Sequence, residues 1–198
     1  MDSEKLIELF LKFPGIGPRQ AKRFVYFLAG EEKNYVDNLA KLISDIKSGM
    51  KQCESCFRYF NSSKSGVDEE LCPICANSNR SSSEIMIVEK DVDLENIERM
   101  SVFNGKYFVL GGLISLNGNE KPEVRMKQLY DKIQKEKPAE VILATSATVE
   151  GENTNLYIER ILEPLKIKIS RLGRGLSTGA ELEYSDTETI ENALINRK

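Results

Sequence analysis

Four cysteines carry the strongest chemical signal in the sequence. They form two Cys-x-x-Cys hooks, Cys53–Cys56 and Cys72–Cys75, with fifteen residues between them. The chain of 198 residues has no other cysteine and no histidine. Two hooks at this spacing are typical of a four-thiolate tetrahedral metal site, because each hook aims two sulfurs at one point. The sequence therefore predicts one structural Zn²⁺ per chain, held by Cys53, Cys56, Cys72 and Cys75.

Two disulfides or two separate redox pairs would also use four cysteines. Disulfides persist in oxidising compartments, whereas the polar stretch Asp2–Lys5 follows Met1 without the apolar core of a signal peptide. A thioredoxin-like site would need only one hook. No apolar run approaches the about 20 residues of a membrane span, so we expect a cytoplasmic protein. Four thiolates complete the coordination of zinc, which leaves no position for a substrate.

The absence of histidine excludes several classes of enzyme. Ser-His-Asp sites, Cys-His sites and HExxH metalloprotease sites all need an imidazole. Any catalysis would depend on carboxylates, lysine, tyrosine, serine or a bound metal. The net charge of −3 does not indicate a nucleic-acid binder, but residues 11–30 hold four cations and no acid. Such a patch can bind phosphate on an acidic protein, and a solvated helix face is the plainer interpretation.

Hydrophobic periodicity divides the chain into a helical part, the cysteine loop and an α/β part. Helical stripes occupy residues 3–13, the segment after Pro18, and residues 35–46. Further on, short continuous apolar runs alternate with helical segments, which is typical of a parallel sheet with helices. The predicted strands are 85–88, 107–110, 141–144 and 167–172, and the predicted helices lie near 93–100, 123–136, 153–165 and 187–194.

Ligands of parallel sheets bind at the carboxyl ends of the strands. The residues at the ends of the predicted strands are Glu89, Gly111–Gly112, Thr145 and Arg174. We expect this edge to be the functional side of the α/β part.

The turn Pro14-Gly15-Ile16-Gly17 between the first two helices could bind phosphate. Glycines permit a sharp turn that leaves amide groups free at the start of the next helix, where a phosphate binds. Arg19, Lys22 and Arg23 would add positive charge. These contacts reach the backbone of DNA and not the bases, so binding would be independent of sequence. The segment resembles a helix-hairpin-helix motif, although the same turn could serve structure alone.

The α/β part resembles a Toprim domain, the fold of topoisomerases, bacterial primases and some nucleases. Glu89 matches the first acid of that fold, with which catalytic members combine a D-x-D pair to hold Mg²⁺. The matching stretch here, Ala144–Thr148, has no acid, and Glu150 and Glu152 come later. The resemblance implies an incomplete magnesium site. The alternative is a magnesium-dependent nuclease or topoisomerase that uses Glu89, Asp93 and Glu150.

The hairpin, the cysteine hooks and the incomplete Toprim sheet together resemble the RecR family of bacterial recombination mediators. Matching stretches run along nearly the whole chain, among them Phe13–Gly17, Ile87–Glu89, Val109–Ser115, Thr148–Thr154, Arg174–Leu176 and Leu182–Asp186. The chain departs from the family where Phe108 replaces a usual histidine, where Ser177 replaces a usual proline, and in a shortened turn near Asn117.

The resemblance implies a non-enzymatic clamp, a homotetrameric ring that encircles single- or double-stranded DNA. Such proteins act with RecO and RecF to load RecA on single strands coated with SSB. The implied DNA-binding residues are Gly15, Gly17, Arg19, Lys22 and Arg23. The acids Glu89, Asp93, Glu150 and Glu152 would form an acidic surface for a basic partner such as RecO.

The expected fold is therefore a multi-part α+β chain. It comprises a helix-hairpin-helix unit (1–50), a four-cysteine zinc finger (51–76), a Rossmann-like α/β Toprim domain with a parallel sheet (84–179) and a C-terminal oligomerisation segment (180–198). A third interpretation stays open, in which the protein is a zinc-braced scaffold and the hairpin serves structure alone.

Overall fold

The computed structural model describes residues 3–61, 70–115, 124–173, 175–176, 178–179 and 181–197. Arg174, Ser177 and the turn near Asn117, all noted in the sequence, lie outside the described residues. The chain divides into two units, Met1–Met50 and Lys51–Lys198. The second unit contains both the cysteine hooks and the sheet.

The first unit consists of three helices, α1 (Ser3–Leu11), α2 (Pro18–Gly30) and α3 (Lys33–Gly49). A proline at the start of α2 suits the first turn, where its missing N–H has no acceptor to reach. Ala21 and Val25 are the buried residues of α2, and the predicted apolar stripe includes both. No residue of α3 is buried, so its apolar stripe faces outward.

The second unit contains six strands and five helices in the described residues. In chain order these are β1 (Met50–Gln52), β2 (Tyr59–Asn61), α4 (Pro73–Ala76), β3 (Glu84–Val88), α5 (Asp91–Met100), β4 (Lys106–Val109), α6 (Met126–Glu136), β5 (Glu140–Ala144), α7 (Val149–Leu162), β6 (Lys168–Arg171) and α8 (Thr187–Ile195). Among the described residues, no helix combines the length and the apolar character that crossing a bilayer requires.

A four-stranded parallel sheet in the order β4-β3-β5-β6 forms the framework of this unit. Ile87 lies opposite Phe108 on one side and Leu143 on the other. Each face of the sheet is covered, which explains why the strands are continuous apolar runs without alternation. The predicted α/β architecture with a parallel sheet is confirmed.

Alternate residues of the strands supply two hydrophobic cores. The first core joins Met86, Val88, Tyr107 and Val109 to Leu94 of α5 and to the buried cysteines. The second core joins Ile85, Ile87, Phe108, Val141 and Leu143 to Leu129, Ile133, Ile158 and Leu162 of α6 and α7. The cysteine site is therefore part of the core on one face of the sheet.

Helix α7 begins earlier than the sequence predicted. It starts at Val149 and not near Asn153, because the Thr148 hydroxyl caps it by accepting a hydrogen bond from the Gly151 amide at 3.2 Å. A side chain at position 151 would place its Cβ 1.9 Å from the Ser146 carbonyl oxygen. This start places Glu150 and Glu152 in the first turn of a helix.

A half-buried ion pair links the segment before β3 to α5 and β4. The Arg80 guanidinium pairs with the Glu98 carboxylate and donates to the Gly105 carbonyl at 3.0 Å. The Tyr107 hydroxyl donates to Glu98 Oε1 at 2.7 Å. Burial and this hydrogen bond both raise the pKa of Tyr107, and the Glu98 carboxylate raises the pKa of Arg80. Arg80 therefore stays positively charged and the Tyr107 hydroxyl stays neutral beside the Glu98 carboxylate.

We expect Arg80→Met to lower the free energy of unfolding by about 2–4 kcal/mol, because it leaves a shielded carboxylate without its cation. The matched control is Lys168→Met, which breaks an exposed pair with Glu140 (Lys168 side chain 69% exposed) and should cost far less stability, because water screens an exposed pair. Denaturant unfolding of the zinc-loaded protein measures both. Equal losses would contradict the structural role of Arg80.

Candidate functional sites

The two cysteine hooks converge on one point. All four sulfurs lie within 4.8 Å of one another, and Cys56 Sγ lies 3.6 Å from Cys72 Sγ. Four sulfurs at metal bonds of about 2.3 Å form a tetrahedron with edges of about 3.8 Å. Three of the thiols are buried and that of Cys75 is partly exposed. The predicted convergence is confirmed, and the donor set suits Zn²⁺.

Local hydrogen bonds shape the first hook. The Phe57 amide donates to the Cys53 carbonyl at 2.9 Å, and Phe57 adopts a left-handed conformation with φ +63°. The Cys72 amide donates to Cys53 Sγ at 3.3 Å. The contact with the Cys56 thiol is the largest influence on Cys53 and lowers its pKa, whereas the contact with Cys53 is the largest influence on Cys56 and raises its pKa. Four sulfurs this close ionise together only around a cation, since like charges repel.

The first hook is attached directly to the sheet. Val109 of the edge strand β4 donates its amide to the Cys56 carbonyl at 2.9 Å. On the other side, the ammonium of Lys132 on α6 donates to the Ser55 hydroxyl at 2.7 Å. Movement of the hook would therefore disturb hydrogen bonds to both β4 and α6.

The turn before α2 has the shape that the sequence predicted. Gly15 lies in the left-handed region at φ +77°, and the Ile16 amide donates to the Phe13 carbonyl at 3.2 Å. Gly17 precedes the helix without a side-chain hydrogen bond to its first turn. A Cβ added at either glycine would meet nothing within 4 Å. The start of α2 is thus open to the approach of a ligand.

Three cations share one exposed face of α2. Arg19, Lys22 and Arg23 are all exposed, and their spacing of three and four residues places them side by side. Tyr26 continues the same face one turn further and is 75% exposed. Sequence reasoning did not single out Tyr26, although the same helical spacing could have found it. The face combines positive charge with one aromatic ring.

Glu89 lies at the carboxyl end of the central strand β3, and its carboxylate is buried. The residue is 6% exposed. Its Oε2 accepts a hydrogen bond from the Ser146 hydroxyl at 2.8 Å, and its Oε1 lies 2.5 Å from the Lys90 ammonium. The Glu89 carboxylate raises the pKa of Lys90. An ammonium of the same chain therefore balances the charge of Glu89. Sequence reasoning singled out neither Lys90 nor Ser146.

The other three acids at this edge take part in separate local interactions. Asp93 Oδ2 accepts the Lys90 amide at 2.9 Å at the start of α5. Glu152 pairs with Arg171 of β6 at 2.7 Å, and Arg171, whose pKa the carboxylates raise, also pairs with Glu159. Glu150 lies in the first turn of α7. Within the described ranges, the cysteines are the only group of three or more possible ligands close enough to hold a metal ion.

Comparison with known proteins gives a consistent result along the chain. Residues 83–173 match the family model of the Toprim domain, and residues 175–198 match that described as RecR, C-terminal. "Recombination protein RecR" of Dehalococcoides mccartyi is 40% identical over 195 residues, which cover 98% of this chain and 92% of that protein. The proteins of the same name from Streptococcus suis and Streptococcus sanguinis are each 38% identical over 194 residues, covering 98% of this chain and 94% of theirs.

These relatives align with almost the whole of the chain and with almost the whole of their own length. The resemblance that the hairpin, hooks and sheet indicated is therefore confirmed. The protein belongs to the RecR family of recombination proteins.

Proposed function

We propose that this protein is a non-enzymatic, DNA-binding mediator of recombinational DNA repair. The exposed face of Arg19, Lys22 and Arg23 beside the open start of α2 carries the proposal. The link to recombination rests on the relatives, which are named as recombination proteins.

Phosphate groups fit this face in two ways. The first-turn amides of a helix have no acceptor within the helix, so they attract anions. The three cations attract the phosphates electrostatically, and this attraction weakens as the salt concentration rises. Glycines at positions 15 and 17 leave space for the sugar–phosphate backbone. Tyr26 offers a ring on which an unpaired base can stack, which supports binding of single strands as well as duplexes.

In a ring of subunits, such weak contacts would be enough to retain DNA. Once one subunit binds the DNA, the other subunits meet it at a high effective concentration. Leu42, Ile43 and Ile46 of α3 are each more than half exposed, which supports burial of this face against another copy. Further exposed apolar residues lie near the C-terminus, namely Leu182, Tyr184, Leu194 and Ile195. We propose a homotetrameric ring that uses both surfaces and treat 180–198 as its oligomerisation segment.

The acids of the Toprim edge form the proposed surface for RecO. Glu150 and Glu152 in the first turn of α7 would provide direct contacts, while the buried Glu89 and the helix-capping Asp93 would hold the strand end and the start of α5 that complete this surface. With RecO and RecF, the ring would help to load RecA on SSB-coated strands. We also retain the proposed domains: helix-hairpin-helix (1–50), zinc finger (51–76) and Toprim (84–179).

The surroundings of Glu89 support the proposed absence of catalysis. A magnesium site needs carboxylates free to share a divalent cation. The Lys90 ammonium supplies positive charge to Glu89 from within the chain, and the stretch Ala144–Thr148 supplies no acid. This combination supports a Toprim fold that binds partners without phosphoryl transfer.

We propose that the metal is zinc, and Cys53→Ser tests its role. The variant should lose the one Zn²⁺ per chain measured by mass spectrometry of metals. Unit 2 should also lose stability, because metal binding energy at such sites is folding energy. Hydrogen exchange at β4 should rise, since Cys56 accepts from Val109. The control Glu54→Ala, an exposed change in the same hook, should keep the metal. Full zinc content in Cys53→Ser would contradict the assignment.

The double variant Lys22→Ala/Arg23→Ala tests the DNA-binding face. We expect it to abolish retention on DNA at physiological salt and to reduce the slope of log affinity against log salt by about 2, one for each lost phosphate contact. Fluorescence anisotropy with labelled single-stranded and duplex oligonucleotides measures both quantities.

The matched control is Lys41→Ala/Lys47→Ala, which removes the same charge from exposed positions of α3. The solution masses of both variants must equal that of the parent, so that lost binding is not lost assembly. Unchanged affinity in Lys22→Ala/Arg23→Ala would remove the assigned site. Failure of the parent to bind any DNA, even with partner proteins present, would favour the scaffold instead.

Supercoiled plasmid with Mg²⁺ or Mn²⁺ tests the enzymatic alternative that uses Glu89, Asp93 and Glu150. We expect neither nicking nor relaxation, because Lys90 neutralises the first acid. Activity that disappears in Glu89→Gln but persists in Glu95→Gln, an exposed acid of α5, would establish the enzyme and overturn the proposal.

A further inference from the structure

A groove of about 430 Å³ lies between α6 and α7, away from the metal site and the acidic edge. Six residues line it: Met126, Lys127, Tyr130, Arg160, Ile161 and Pro164. Met126 and Tyr130 are four residues apart on α6 and therefore project from one side of that helix. On the other side of the groove, Arg160 and Ile161 belong to the last turn of α7, and Pro164 lies in the short 3-10 turn Glu163–Leu165 that follows it.

The walls of the groove rest on the rigid part of the molecule. Met126, Tyr130 and Ile161 pack against the second hydrophobic core, where Leu129 and Leu162 are fully buried. Side chains held from beneath in this way lose little freedom when a partner arrives, so binding requires little ordering of the groove.

Charge distinguishes this groove from the rest of the surface. Its lining includes two cations and no acid, on a protein with a net charge of −3. Lys127 and Arg160 are both exposed. Within the described part of the chain, neither forms an ion pair or a hydrogen bond. Both cations are thus available to an outside carboxylate.

We propose that this groove binds an acidic amphipathic helix of a partner protein. Apolar side chains of that helix, three or four residues apart, fill the space between Met126, Tyr130 and Ile161. Acidic side chains beside them pair with Lys127 and Arg160. This is the helix-in-groove mode, in which apolar anchors supply affinity and flanking charges supply orientation.

The shape and chemistry favour a protein partner over a nucleic acid. Nucleic-acid sites need rows of cations to neutralise successive phosphates, whereas this groove has two cations beside a mainly apolar lining. Methionine, isoleucine and proline form a surface for apolar side chains. The groove therefore differs in kind from the three-cation face of α2, where no apolar groove accompanies the charge.

A peptide library provides the test with the full-length, zinc-loaded protein. Display of random 16-residue peptides should enrich sequences with apolar residues at helical spacing and with Asp or Glu beside them. For an enriched peptide, measured by fluorescence anisotropy, Lys127→Glu/Arg160→Glu should weaken binding at least tenfold and flatten its dependence on salt. Met126→Gln should weaken it at least fivefold and leave the salt dependence unchanged.

The control Arg99→Glu/Lys168→Glu makes the same charge change at exposed positions elsewhere in unit 2 and should leave peptide binding unaltered. Four results would overturn the proposal. The first is a library without acidic amphipathic enrichment. The second is an enriched peptide that binds Lys127→Glu/Arg160→Glu as well as the parent. The third is a lower solution mass of that variant, which would make the groove an interface between copies. The fourth is a loss of DNA binding in that variant as large as that of Lys22→Ala/Arg23→Ala.

Discussion

The contact between the first cysteine hook and the edge of the sheet is the constraint on which unit 2 depends. An edge strand presents unpaired amide and carbonyl groups, and the Val109 amide of β4 finds its acceptor in the Cys56 carbonyl. The position of that carbonyl depends on where the four sulfurs converge. The same sulfurs pack in one core with Met86 and Tyr107. Convergence of the sulfurs, protection of the strand edge and core packing are therefore coupled, and the cysteine site is continuous with the sheet.

The surroundings of Glu89 show how a Toprim sheet can keep its shape while its chemistry changes. A carboxylate at the end of a buried central strand needs a positive partner, because an unpaired charge there is costly. Magnesium fills this role in catalytic sites and polarises the reacting phosphate. Lys90 balances the charge as well, but an ammonium tied to the neighbouring residue offers no open coordination position. On the proposed function, stability of the strand end is retained and phosphoryl transfer is lost.

The proposed DNA contacts and the proposed contacts with other partner proteins occupy different units of the chain. Cations accompany the open helix start of α2, while the acids and the apolar groove belong to unit 2. Because Glu150 and Glu152 belong to the first turn of a capped helix, the backbone from which both carboxylates project is held in place. A net negative protein can then hold DNA through a local basic face without attracting it over its whole surface.

Much of this arrangement depends on short-range chemistry and was readable in the sequence. The hooks converge because the turn of each Cys-x-x-Cys is local, and the strands appear because a sheet covered on both faces demands continuous apolar runs. Gly15 marks a left-handed turn that other residues adopt poorly. The parallel architecture and the family likeness follow from the same features.

Only the tertiary structure decided which distant residues meet. Glu89 and Ser146 are 57 residues apart, and they pair because β3 and β5 are neighbours in register, which no local pattern specifies. The hydrogen bond between the first hook and the edge of β4 likewise joins residues that no local pattern brings together. The early start of α7 depended on a threonine cap and on the close approach of Gly151 to Ser146. Local spacing in the sequence determines which helices and strands form. Burial and hydrogen bonding between neighbouring strands determine which charged side chains meet. The same tertiary contacts determine which charged side chains remain free to bind a partner.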